Sequence, residues 1–161
     1  MSATYRLRVA SPLAASPEAV WAHASTMAGV NEELAPLRMS APPGARLDAD
    51  VPLGTRLFRS TISVAGVLPF DVHDLTLVEL TPGRGFHEAS SSLTERRWIH
   101  RRTVAPAAGG CTVGGDLAFE PRPLGGLVRR IVGRVFARRH AALRRKFGAL
   151  PGAPPIAVEW S

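Results

Sequence analysis

The run Arg96–Val104, RRWIHRRTV, sets a tryptophan, a histidine and four arginines among apolar residues. In an extended strand, side chains point alternately to the two faces. One face then carries Trp98, His100, Arg102 and Val104, and the other carries Arg97, Ile99, Arg101 and Thr103. His100 brings an imidazole that titrates near neutral pH, and Arg102 a permanent cation. A face that mixes the bulkiest apolar group with these two polar ones suits the wall of a cavity better than a dry core or an open surface. The competing reading makes Trp98 core and lets His100 hydrogen-bond to a neighbouring strand.

The remaining histidines, His23, His73, His87 and His140, lack the helical i, i+4 spacing that would fix a metal, so neither a metal nor a cofactor is expected. His73 shares a strand face with Asp71, Leu75 and Leu77; it could enter a cavity beside His100 or lie on the surface. Cys111 has no partner for a disulfide or a structural zinc site and reads as a small apolar strand residue. There is no nucleophile elbow, phosphate-binding loop or dinucleotide fingerprint. Gly125-Gly126 could offer free N–H groups to an anion, but a turn is the better reading.

These side chains need elements to hold them. Tyr5, Leu7 and Val9 alternate with Arg6 and Arg8, which predicts a half-buried strand over about residues 4–11. Ser16-Pro17-Glu18 then combines an N-cap, a proline suited to the first helical turn and an early carboxylate, so a short helix carries Val20 and Trp21. Met27-Ala28-Gly29 reads as punctuation before a second brief helix over Val30–Leu34, stopped by Pro36. From Leu37 to Arg122 the chain is strand-like, with turn chemistry at Pro42-Pro43-Gly44, Pro52-Leu53-Gly54, Pro82-Gly83 and Gly109-Gly110. The clearest strands are Arg56–Val67, Val72–Leu80, Phe86–Leu93, Arg97–Val104 and Thr112–Phe119, an antiparallel meander. A long helix follows from Leu127 to Phe147, with Gly148 as its stop. Its apolar side holds Val128, Ile131, Val132, Val135, Phe136, Ala142 and Leu143, interrupted by Arg139. An unpaired guanidinium buried there would cost several kcal/mol, so one of Glu32, Glu33, Asp116 or Glu120 should approach Arg139 as a structural charge pair.

The length of 161 residues fits one domain over residues 1–148, followed by a proline-containing tail over 149–161. No apolar run reaches the length of a signal peptide or of a membrane span, so a cytoplasmic location is expected. The net charge of +7 invites a nucleic-acid or anionic-lipid reading, and no acid occurs between Pro121 and Val158. Against this, Lys146 is the only lysine among 20 basic residues, a bias that a GC-rich genome produces without selection for binding. Apart from Arg139, the arginines of the long helix occupy the side away from its apolar stripe and have no interleaved aromatics for base stacking. No nucleic-acid partner is therefore expected.

Strand, two short helices, antiparallel strands and a long closing helix make up the order of a helix-grip fold, an α+β architecture. Trp98-x-His100, the glycine turn, Asp116 followed by Phe119, and Pro123-Leu124-Gly125 leading into Phe136-x-x-Arg139 carry the likeness. On these residues the chain resembles, over about 3–148, the START-like (SRPBCC) superfamily, in particular its bacterial ligand-binding branch. That group includes polyketide cyclases and aromatases, lipid-transfer domains and birch-pollen-allergen-like proteins. This chain has Arg102 and Val104 where such relatives often carry a second histidine and an aromatic residue.

The resemblance implies a curved antiparallel sheet wrapped around the C-terminal helix, with a hydrophobic cavity between them. Strand alternation and helix phase then nominate Phe58, Ile62, Leu75, Leu77, Trp98, His100, Val132 and Phe136 as lining. Arg102 should sit at the mouth with its guanidinium in water. The expected function is binding of a small hydrophobic molecule such as a lipid or polyketide, as carrier or sensor, by a monomer or homodimer without an integral membrane segment. The rival is a cyclase-like enzyme in which His100 is general acid or base and Arg102 stabilises an enolate. A third reading, anionic lipid or nucleic acid on the arginine-rich helix, predicts binding that weakens steeply with salt.

Overall fold

A computed structural model describes residues 3–161; Met1 and Ser2, part of the expected domain, lie outside the described residues. The described chain runs β1 (Tyr5–Leu13), α1 (Pro17–Ala24), α2 (Met27–Leu34), β2 (Leu37–Met39), β3 (Arg56–Val64), β4 (Leu68–Thr81), β5 (Gly85–Ser92), β6 (Glu95–Ala107), β7 (Gly110–Pro121), α3 (Gly125–Phe147) and β8 (Glu159–Trp160). Among the described residues the strands form one eight-stranded sheet in the order β2-β3-β4-β5-β6-β7-β1-β8. Every pairing is antiparallel. This is the expected α+β helix-grip architecture.

Local chemistry explains the short elements. The Ser16 hydroxyl caps α1 by accepting from the Ala19 N–H at 3.2 Å, with Pro17 in the first turn. The Thr26 hydroxyl caps α2 by accepting from the Gly29 N–H at 3.0 Å. Met27-Ala28-Gly29 is thus the first turn of α2 rather than a break before it. Gly29 is there for close approach, since a Cβ on it would stand 2.0 Å from the His23 carbonyl oxygen. β3 stops at Val64 instead of Val67 because Ala65 and Gly66 both take positive φ (52° and 74°), the conformation that a tight hairpin needs. Alanine rarely adopts it, which is why alternation alone carries the strand too far.

Two apolar clusters make the core. One joins Leu7, Val9, Leu117 and Phe119 of β1 and β7 to Val132 and Phe136 of α3. The other joins Leu13, Val104, Cys111 and Val113 to Val20 of α1 and Leu143 of α3. α3 therefore packs on the β1–β7 side of the sheet and against α2. Its buried face is Val132, Phe136, Arg139, His140 and Leu143. Ile131, expected inside, is 47 % exposed. The chain after Gly148 returns to the sheet: Trp160 pairs with Leu7, and its ring lies beside Gly133 and beneath the Arg129 guanidinium at 4.5 Å.

Gly29→Ala sets a helix-propensity gain of about 1 kcal/mol against a clash with backbone that has no rotamer to escape through. The clash should win, with a net loss of about 1–3 kcal/mol in urea unfolding. A variant as stable as the parent would show that α1 and α2 are not in this contact.

Candidate functional site

Between α3 and the β3–β6 side of the sheet lies a cavity of about 250 Å³. Its wall is mostly apolar. Ile62, Leu75 and Leu77 come from β3 and β4, Phe86 from β5, Trp98 from β6, Val132 and Phe136 from α3, and Met27, Val30 and Leu34 from α2. Phe70 and Ile131 border the cavity yet are each 47 % exposed, so they mark its mouth. Seven of the eight side chains nominated from alternation and helix phase border this space. Phe58 does not. It pairs with Leu75 in register and is half-buried, but face alternation gives direction and not depth along a strand.

The β6 face is oriented as its alternation suggests: His100, Arg102 and Val104 are buried, while Arg97, Arg101 and Thr103 are exposed. Trp98 packs edge-on to His73 at 6.1 Å and against Phe119 and Phe136 at 6.0 and 6.3 Å. His100 meets Phe86 and Phe136 edge-on at 5.4 and 5.3 Å.

Sequence reasoning did not single out Glu88. It lies opposite His100 in the β5–β6 register, borders the cavity and is 5 % exposed. One carboxylate oxygen is 2.6 Å from His73 Nε2, and the other is 3.6 Å from His100 Nδ1. The two imidazoles thereby flank one carboxylate. Burial works to raise the Glu88 pKa, but hydrogen bonds and charge from His100 and His73 prevail and hold it below the ordinary carboxylate range. Burial likewise opposes charge on His73, yet Glu88, Asp71 and Glu95 together raise its pKa. At His100 burial wins, helped by the positive charges of Arg139 and Arg102, and the pKa is lowered despite Glu88. With Nδ1 facing the carboxylate, His100 Nε2 has no hydrogen-bond partner among the described residues. A neutral imidazole so held can accept a proton, or a hydrogen bond, from whatever occupies the cavity.

Arg102 corrects an expectation. It is 3 % exposed and does not reach water at the mouth; its Nη1 donates to Glu33 Oε2 at 2.7 Å. Arg139 donates to the same oxygen through Nε and Nη2, both at 3.2 Å. Of the four acids considered for Arg139, Glu33 is the one that meets it. Burial acts to raise the Glu33 pKa, but Arg102 and Arg139 overcome it and hold the carboxyl below its usual range. Arg139 also borders the cavity, so the cationic side chain on the wall is Arg139 rather than Arg102. His140 is buried beside this knot, with Nδ1 2.9 Å from the Ser11 hydroxyl. Burial, then Arg102 and Arg139, push its pKa down to about 3.

Removing Arg139 leaves Glu33 and Arg102 balanced one to one. Arg139→Met should therefore cost less than about 2 kcal/mol, whereas Arg139→Asp, which sets two carboxylates together out of water, should cost about 3–5 kcal/mol. Equal losses in urea unfolding would contradict the pairing. His140 gives a pH test. It stays neutral in the folded chain down to about 3, whereas the unfolded chain binds a proton below about 6.5. Its contribution is complete above the unfolded value and is lost as pH falls toward the folded one. His140→Gln should flatten the decline of stability between about pH 6.5 and 4.5, above the carboxylate range. His23 and His100 are shifted the same way and should keep part of the slope. An unchanged slope would show that His140 titrates normally.

Comparison with known proteins places this geometry. No curated protein matches the sequence. Protein CV1439 from Chromobacterium violaceum superposes with TM-score 0.66 at 15 % identity, over 90 % of this chain and 99 % of that one. A START superfamily protein from Mycobacterium smegmatis gives 0.63 at 12 % identity, over 89 % and 97 %. DynU16, a putative protein in the dynemicin biosynthetic locus, gives 0.58 at 16 % identity over 89 % of this chain, which spans about half (48 %) of that one. At such identities the likeness is one of fold, and it agrees with the START-like resemblance carried by the sequence. The model of a family described as a domain of unknown function (DUF8410) matches residues 11–147, so the chain belongs to that family, built on the START-like helix-grip fold.

Proposed function

We propose that the protein binds a small hydrophobic molecule in the cavity between sheet and helix, as a carrier or sensor. The observation that carries this reading is an internal space of about 250 Å³ walled mainly by aliphatic and aromatic side chains. Pockets of this kind, with few polar groups, are where small ligands bind. Among the described residues no helix is long and apolar enough to cross a membrane.

A second reading is favoured by the His73–Glu88–His100 arrangement: enolisation chemistry of the polyketide-cyclase kind. His100 Nε2 would take a proton from the carbon next to a ligand carbonyl, with Glu88 stabilising the imidazolium that forms. Glu33 holds both Arg102 and Arg139, but only Arg139 of the two borders the cavity, so stabilisation of the enolate oxygen passes from Arg102 to Arg139.

Titration with apolar ligands should change Trp98 emission, and the change should vanish in Trp98→Phe although Trp21 and Trp160 still emit. Binding should vary little between roughly 50 and 200 mM salt, unlike contact with anionic lipid or nucleic acid. His100→Ala should fold and weaken a ligand that bears one polar group by about 1–3 kcal/mol. Saturation without a change in Trp98 emission would refute the placement. The enzymatic reading is separated by exchange of the α-protons of a bound β-diketone into D2O. Exchange that is fast in the parent and abolished in His100→Ala, with affinity nearly kept, supports catalysis; equal slow rates support carriage.

A further inference from the structure

The cavity has a chemically one-sided end. Asp71, at the start of β4, and Glu95, at the start of β6, border it with Thr94 between them, and they are only 4 % and 7 % exposed. Asp71 Oδ1 accepts from the Val72 and Thr94 N–H groups at 2.9 and 3.2 Å. The Thr94 hydroxyl carries a single proton, yet it lies 2.8 Å from Asp71 Oδ2 and 2.7 Å from Glu95 Oε2. Glu95 Oε2 also takes the Ser92 hydroxyl, and among the described residues no donor reaches Glu95 Oε1. Acceptors therefore outnumber donors.

Charge is unbalanced in the same sense. Among the described residues no cationic side chain comes within ion-pair distance of Asp71 or Glu95. His73, which these acids help to charge, is already held by Glu88. Arg139 is held by Glu33. Elsewhere on the wall, beside Phe136 and toward Arg139 rather than at this end, His100, 3 % exposed, turns Nδ1 to Glu88 and leaves Nε2 without a partner among the described residues. Phe70, next to Asp71 in the chain, and Trp98 also border the cavity, and an aromatic face attracts a cation. Burying carboxylates without a cation is costly, and a ligand that supplies one removes that cost.

We propose that the cavity takes an amphiphilic primary amine, with its apolar body among the aliphatic residues and its ammonium group against Glu95 and Asp71. This rests on the cavity being the binding site, and the test separates the two claims. Octylamine, octan-1-ol and octanoate share one tail and differ in head charge at pH 7. Calorimetric titration should give octylamine at least about tenfold tighter binding than octan-1-ol, with octanoate weakest, as expected for a charge-assisted contact. Glu95→Gln should bring octylamine to within about twofold of octan-1-ol, both measured in that variant. Asp71→Asn, read in the same way, decides if Glu95→Gln does not fold by circular dichroism. Equal affinity of the three ligands in the parent would overturn the amine while keeping the apolar cavity. An amine preference that survives in both folded variants would overturn the assignment to Glu95 and Asp71. Failure of both octan-1-ol and octylamine to bind would overturn the cavity reading, and the amine with it.

Discussion

The carboxylate of Glu33 is the point on which the architecture turns. It is 1 % exposed, and one of its oxygens meets guanidinium groups from two other elements. Glu33 belongs to α2, Arg102 to β6 and Arg139 to α3. No pair among these elements is adjacent in sequence, so the knot sets the two-helix segment and the closing helix against the sheet. Burying three charges is poor value as stability, because apolar residues of similar size often do as well. It is specific, however. α3 can turn an arginine inward only where Glu33 waits, which fixes its rotation and with it the positions of Val132 and Phe136 on the cavity wall.

The knot also shapes the chemistry of the cavity. With two guanidinium groups to one carboxylate, its surroundings are positive, and this charge adds to burial, the larger cause, in lowering the pKa of His100 and His140. Some distance along the same wall Asp71 and Glu95 act on His73 in the opposite sense. Glu88 lies between the two histidines and is in hydrogen-bond contact with His73, the one whose pKa is raised. Two imidazoles on one carboxylate are thus shifted in opposite directions by burial and by the charges behind them. The cavity is apolar along most of its wall, acidic near the β5–β6 turn and basic toward α2, so its two ends differ in charge.

Much of this was legible in the sequence. Alternation in RRWIHRRTV sets Trp98 and His100 on one face, and both border the cavity; the helical stripe marks Arg139 as an anomaly that requires an acid. What alternation could not show was depth. Phe58 lies on a strand that contributes Ile62 to the wall, yet it falls outside the cavity. Sequence alone sends Arg102 to water because an arginine with no visible partner normally reaches it; its partner lies 69 residues away, and that of Arg139 lies 106 away. Glu88 and Glu95 carry no sequence signal, and Asp71 shows only as a neighbour on the His73 strand face, for the same reason. An acid in a strand reads as surface until the histidine or hydroxyl that meets it is known, and those partners come from other strands. The departure at Arg102 from relatives with a second histidine gains a structural counterpart here, because His73 on β4 supplies a second imidazole to the same wall.

The central claim is that a small apolar molecule enters between sheet and helix, on the β3–β6 side, without disturbing the packed core beside α1. Methyl-labelled NMR reads both regions in one titration. As octan-1-ol is added, the methyl signals of Leu75, Leu77 and Val132, which border the cavity, should shift together and saturate. Those of Leu13, Val20 and Leu143, in the second core cluster, should stay in place. Shifts confined to surface methyls, or saturation with Leu77 and Val132 unmoved, would contradict binding in this cavity.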